Sequence, residues 1–261
     1  MKNKARLRRR AFAVLVLFLI AYSNHLFGSV DDEPIDNEPA DIVVWVGETE
    51  FGFVIADGTS KVRSVSGLLD LTKDGDVWRN QVLIETLNVS NNRIPSVEKY
   101  LGSYKTDYKF ETDEFLFIEL NYENDRFSGF SYEATFVSGL DKVVLNHGNH
   151  IVSIELGPGY RYLANLDDTS EEEAILRIAT KYRYALSETA EFQFDIEADA
   201  GEDAIISKST MAIKSQINGH VSMKVSLTAK HNSDIPDLLV EGEEVQKTNF
   251  ETAFRIVYSF L

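Results

Sequence analysis

The chain has 261 residues, no cysteine and a formal charge of −16. Without cysteine there is no disulfide framework, thiolate metal site or thiol nucleophile, and so acidic a chain repels nucleic acid and anionic lipid surfaces. Beyond the N-terminus no uninterrupted apolar stretch reaches the roughly 20 residues of a spanning helix, which excludes a helical membrane bundle.

The N-terminus carries Lys2, Lys4, Arg6, Arg8, Arg9 and Arg10 ahead of the apolar run "AFAVLVLFLIAY". A basic region followed by an apolar one is the pattern of a secretory signal. Ala21 and Ser23 supply small residues for cleavage, so 1–23 is expected to be a signal peptide. The alternative is an uncleaved anchor running to about Val30. The next segment, 24–41, contains "DDEPIDNEPAD", which is acidic, has two prolines and lacks any period, and is expected to be a flexible leader. The folded part is expected over 42–261.

From there to the end, apolar residues recur every second position and helical spacing is scarce. In "AEFQFDIEADA", Ala190, Phe192, Phe194, Ile196 and Ala198 alternate with Glu191, Gln193, Asp195, Glu197 and Asp199. "VSMKVSLTAK" and "YLGSYKTDYKF" repeat the scheme. Turn signals divide the chain into strands at 43–56, 62–72, 78–89, 97–110, 115–123, 132–145, 151–162, 174–186, 190–200, 209–217, 221–231 and 250–260. Most have 10 or so residues, longer than the 5 to 6 usual in soluble domains and matched to the 9 to 11 that a tilted membrane strand needs.

Connections alternate in kind. Tight turns with "KDGD", "ETDE", "NHGN", "SET" and "NGH" follow every second strand, several with the glycine or asparagine that positive φ favours. The others, apart from "DGTS", are longer: "SNNRIPS", "NDRFSGF", "ANLDDTSEEE", "GEDAIIS" and "NSDIPDLLVEGEEVQKTN". Pro158, inside "GPGYR", is expected to mark a bulge near the rim. Aromatics on the apolar parity fall in two sets: Trp45, Trp78, Tyr108, Phe110, Tyr182, Tyr184, Phe192, Tyr258 and Phe260 at the turn ends, and Phe53, Tyr100, Tyr122, Tyr132, Tyr160, Tyr162 and Phe250 at the loop ends. Aromatic rings favour the membrane-water boundary.

These patterns predict an all-β fold, a transmembrane antiparallel up-and-down β-barrel of about 12 strands with short inner turns and long outer loops. The tail "NFETAFRIVYSFL" is its closing strand, expected to pair with the first strand around Trp45 so that no edge is left in lipid. A soluble β-sandwich or lipid-carrier barrel is the alternative, and would bury the apolar face in a core.

Several stretches resemble a bacterial family known as YdiY-like salt-induced outer membrane proteins, whose domain has no known function: "DVWRNQVLIETLNVS", "YENDRFSGFSYEATF", "LGPGYRY", "EEAILRIATKYRYALSETAEF", "AGED", "KSQINGHVSMKVSLTAKHNSDIP" and "TAFRIVYSF". The resemblance implies a small outer-membrane barrel of a Gram-negative bacterium and brings no catalytic residues. The aromatic ending resembles the signal read by the barrel-assembly machinery, although Leu261 follows Phe260 where the usual pattern ends on the aromatic.

The inward parity is crowded with charge of both signs, and the signs cluster by strand: Arg177, Lys181 and Arg183 adjoin Glu191, Asp195, Glu197 and Asp199, with Lys214, Lys224 and Lys230 beyond. Opposite charges across strands support pairing. Either crossed charges and water fill the lumen, or a narrow aqueous channel has facing stripes of opposite sign that orient small solutes. His231, Asn232 and Ser233 could do acyl transfer, but adjacent strand residues point apart. His147, His150 and His220 beside inner turns are expected to be solvated. The carboxylates of "DDTSEEE" and "EGEE" are either solvated loop charge or ligands for divalent cations bridging lipopolysaccharide.

The expectation is therefore an outer-membrane barrel with a structural or passive small-solute channel role linked to salt or osmotic stress. It has no catalytic, cofactor or metal site, its partners are outer-membrane lipid and lipopolysaccharide, it takes no nucleic acid, and it is a monomer. The alternatives are a surface hydrolase built on the barrel and a soluble periplasmic lipid-binding barrel.

Overall fold

The computed structural model describes residues 45–57, 61–92, 94–125, 130–165, 169–234, 239–240, 243–244 and 246–260. The signal peptide and acidic leader expected over 1–41 lie outside them, as does Leu261.

The strands are β1 (Trp45–Asp57), β2 (Lys61–Asp74), β3 (Trp78–Asn91), β4 (Ile94–Glu111), β5 (Glu114–Asp125), β6 (Phe130–His147) and β7 (His150–Asn165), followed by β8 (Ser170–Ala185), β9 (Ala190–Gly201), β10 (Ile205–Gln216), β11 (Val221–Asn232), β12 (Leu239–Val240), β13 (Glu243–Glu244) and β14 (Thr248–Phe260). β12 and β13 pair only with each other. The other strands form one closed antiparallel barrel in the order β1-β14-β11-β10-β9-β8-β7-β6-β5-β4-β3-β2. This is the up-and-down transmembrane β-barrel that the alternation predicts, with twelve strands. The tail closes it, with Gly47 opposite Phe260 and Phe51 opposite Ile256. Among the described residues this seam ladder stops at Phe51, whereas β1 pairs with β2 along its whole length, from Trp45 opposite Lys73 to Asp57 opposite Lys61.

Alternation decides which way each side chain points. Phe51, Ile84, Leu116, Leu156, Ile178, Ile213 and Phe254 stand exposed on the outer surface, while Glu50, Lys105, Asp107, Glu155, Arg161 and Arg177 are buried inside. That is the reverse of a soluble sandwich, whose apolar face would be the buried one. The two aromatic sets form contacts within each rim. At the turn rim Trp78 lies 5.0 Å from Tyr108 and Tyr258 lies 6.4 Å from Phe260. At the loop rim Tyr122, Tyr132 and Tyr162 follow one another at 5.4 and 5.8 Å.

Two expectations need correction. Most of the long outer loops are largely strand: β4 and β6 have 18 residues each, and β9 and β10 extend through most of "GEDAIIS". Pairing has no reason to stop where the membrane does, because a ladder is as well satisfied in water. Pro158 makes no bulge. It sits mid-strand opposite Leu176, and the β6–β7 ladder merely pauses between Val137–Gly159 and Leu140–Leu156 without slipping. A Cβ on Gly157 would lie 2.3 Å from the Ser138 carbonyl oxygen and 2.8 Å from Gly139 Cα. Two facing glycines let the backbones approach closely there, and the register survives the proline's missing donor. The true register shifts lie elsewhere, between Val89 and Ser90, Lys109 and Glu111, Phe130 and Tyr132, and Val143 and Leu145.

Candidate functional site: the lumen

The inward face of each strand delivers its charges to the barrel axis, where they meet in separate clusters. On the β4–β8 side, Lys105 Nζ donates to Glu155 Oε1 at 2.6 Å and to Asp141 at 3.3 Å, and Lys181 reaches the same Glu155 oxygen at 2.6 Å. Arg79 Nε donates to Asp107 at 2.7 Å. The rings of Phe117 and Phe115 lie 4.7 Å from the Lys105 and Arg79 cations, so apolar surface is buried beneath charge.

Further up the axis Arg177 holds Asp199 with both arms, at 2.7 and 2.6 Å, and reaches Glu119 at 3.1 Å. Such a fork is the strongest geometry a guanidinium offers a carboxylate. On the opposite side Arg255 contacts Glu50 at 3.2 Å, Glu85 at 2.8 Å and Glu251 at 3.3 Å, while Lys224 reaches Glu50 at 2.7 Å. Gly52 makes room for it: a Cβ there would meet Ser66 Oγ at 2.6 Å and Arg255 Cγ at 3.2 Å.

The charge stripes inferred from sequence are real, but neighbours in register are not always partners. Arg177 does pair with Asp199 opposite it, whereas Lys181, opposite Asp195, turns to Glu155 and leaves Asp195 to Arg183. Lys214 and Lys224 face each other as like charges and are compensated over the intervening strands by Glu48 and Glu50.

Closest to the loop rim, Lys230 of β11 donates to Glu123 of β5 at 2.7 Å and to Glu133 of β6 at 3.4 Å. β11 and β5 are six strands apart in either direction around the barrel. This pair is a strut across the full width of the lumen. It separates an outer vestibule, walled partly by Asp125, Asn232 and Asn249, from an inner chamber of about 290 Å³ that reaches down to Lys181 and Asp195. Lys230, Glu123, Glu133 and Ile206 line both.

The lumen also has an apolar part that charge patterning missed. Phe117, Val137 and Ile175 pack together fully buried inside the β5–β8 wall. The small inward residues beside them, Gly139, Gly157 and Gly159, were the available signal: only missing side chains leave space for a plug of large ones.

The side chains of His231, Asn232 and Ser233, the residues of the alternative hydrolase reading, do not contact one another. His231 Nδ1 contacts Thr248 Oγ1 at 2.8 Å, Asn232 Oδ1 accepts from the Asp234 amide at 3.1 Å, and Ser233 Oγ accepts from the Ile205 amide at 2.8 Å. All three groups pin the loop rim. His150 contacts the Tyr182 hydroxyl at 2.9 Å and stacks on Tyr184, and His220 lies 3.3 Å from the Ser259 carbonyl oxygen. Of the acidic loop, Glu171 accepts from Asn165 at 2.8 Å, Glu172 from Tyr160 and Glu173 from Arg161. Asp167 and Asp168, and the side chains of "EGEE", lie outside the described residues. No cluster of three or more metal-ligating side chains occurs among the described residues.

A closed twelve-strand barrel with an apolar exterior and an ionic lumen defines a transmembrane β-barrel of the kind found in porins and channels. The fold aligns with the NanC porin at a TM-score of 0.50 and 8% identity, covering 83% of this chain and 99% of that one. It aligns equally well, at 0.50 and 12% identity, with an outer membrane channel from Pseudomonas putida F1, covering 88% and 100%. The chain belongs to the family described as "Protein of unknown function, DUF481", which matches residues 49–260. It is 24% identical over 228 residues to "Uncharacterized protein YdiY" of Escherichia coli (strain K12), covering 87% of this chain and 88% of that one.

Proposed function

We propose that this protein resides in the outer membrane of a Gram-negative bacterium and admits small polar solutes passively through a lumen that is narrow and closed at rest. The observation that carries the reading is the Lys230–Glu123 strut, which stands between an outer vestibule and an inner chamber and rests on two side chains rather than on backbone. Single-channel recording in planar bilayers tests it. Lys230→Gln is expected to raise conductance severalfold over the wild type, because the shorter, uncharged amide loses both the reach and the charge-assisted bond that hold Glu123 across the axis. If both proteins are electrically silent, the second reading stands, a barrel whose role is envelope structure. That reading draws support from the packed Phe117, Val137 and Ile175 and from the density of buried ion pairs.

The same proposal covers the physiological context. Outer-membrane lipid and lipopolysaccharide are the surroundings, the barrel-assembly machinery inserts the chain, and the working form is a monomer. A link to salt or osmotic stress rests on the family resemblance, and protein abundance that stays constant as external sodium chloride is raised would remove it. No catalytic step is part of this function: the described aliphatic hydroxyls that do meet a base, Thr248 beside His231 and Ser259 beside Glu48, lie at opposite rims of the barrel, and neither base is oriented by a third group in the way a triad requires. A lipid carrier is disfavoured because acyl chains would have to displace paired charges from the interior.

A further inference from the structure

The inner chamber has two unlike walls. Leu83 of β3 and Leu101 of β4 line one side, and the inward charges of β8, β9 and β10 line the other. In that ionic wall almost every group has a partner, with one exception and one near-exception. Lys208 lines the chamber and has no hydrogen bond or ion pair at contact distance with any described residue, its charge acting on Glu197, Glu123 and Glu251 only from further away. Glu197, its direct partner in the β9–β10 register, has a single contact, to Arg177 at 3.4 Å, and its side chain is 40% exposed to the chamber.

Opposite charges on directly facing positions of paired strands lie close enough to join. Here they do not, and the ammonium and the carboxylate both border the chamber. Lys230, next to Lys208 in the register with β11, is already bound to Glu123 and Glu133 and repels its neighbour. An ammonium without a contact partner, Lys208, and a carboxylate held only on one side by Arg177, Glu197, thus stand side by side with leucine side chains across the cavity.

We propose that this chamber binds a small zwitterion with an apolar body, of the α-amino-acid type. Its carboxylate accepts from Lys208, its ammonium donates to Glu197, and its side chain lies against Leu83 and Leu101. A chamber of about 290 Å³ is close to the lower end of small-molecule pockets, so the ligand is a single amino acid and not a peptide. The proposal deepens the permeation reading by naming the solute class, and it rests on that reading for how the solute arrives.

Isothermal titration calorimetry on the detergent-solubilised protein provides the test, with L-leucine, 4-methylpentanoate and leucinamide as probes. Leucine is expected to bind about tenfold more tightly than either singly charged analogue, since each lacks one charge-assisted bond. Lys208→Gln and Glu197→Gln should each erase that advantage while leaving the heat-denaturation shift on gels unchanged. Equal heats for all three probes, or no leucine heat at millimolar concentration, would mean that the chamber holds only water and would overturn the proposal. A protein that conducts ions but ignores leucine retires the solute class and spares the permeation reading. Leucine binding in a protein that never conducts does the reverse.

Discussion

Arg177 shows how the lumen is held. It is 2% exposed and compensates Asp199, Glu119 and Glu197 together. Removing one member of a buried ion pair costs about 3–5 kcal/mol, because the partner is stranded without water. Arg177→Met should therefore lower stability by about that amount in urea unfolding from liposomes, and the double change Arg177→Met with Asp199→Leu should recover part of it. Gly157 is sensitive for a different reason. A methyl group there has no room between Ser138 and Gly139, so Gly157→Ala is expected to cost about 1–3 kcal/mol in the same assay.

At the level of the strand, one position decides between lipid and lumen. Ile196 of β9 faces outward at mid-strand and is exposed, while its neighbour Asp195 is bound inside by Arg183. Ile196→Arg should destabilise the barrel by about 2–4 kcal/mol, the depth-dependent cost of a cation near the bilayer midplane. The inward Thr210, two places from Lys208, should accept arginine with far less loss. The β1–β14 seam is the weakest wall. Among the described residues its ladder covers only Gly47–Phe51 on β1, and the seam's flanking phenylalanines, Phe53 and Phe250, are 62% and 74% exposed. Amides of 53–57 that do not bond to β2 should exchange with deuterium faster than any others within β1–β11. Protection equal to that of β6 and β7 there would show that the seam closes in the membrane.

Across the whole molecule, successive residues of each barrel strand face different solvents. The absence of cysteine makes the test clean, since every introduced thiol is the only one. Single cysteines at Phe194, Ile213 and Met223 should react with a lipid-soluble maleimide and resist a charged one, while a cysteine at Lys208 should show the opposite preference. A chain that stays soluble without detergent would contradict the apolar exterior formed by Phe51, Leu116, Leu156 and Phe254.

Strand number, inward and outward faces, the aromatic rims and the closing role of the tail were all legible in the sequence, because each depends on the strict two-residue period of a strand and on local turn chemistry. The fate of individual charges was not. Register sets Arg177 against Asp199, but whether Lys181 takes Asp195 or Glu155, and whether Lys230 reaches Glu123, depends on which side chains meet across the axis once the sheet has closed. The buried plug of Phe117, Val137 and Ile175 belongs to the same class, since its three residues come from three strands. Alternation is a property of neighbours along the chain and survives without a fold. Contacts across a lumen join residues 107 positions apart, as in Lys230 and Glu123, and only closure of the barrel creates them.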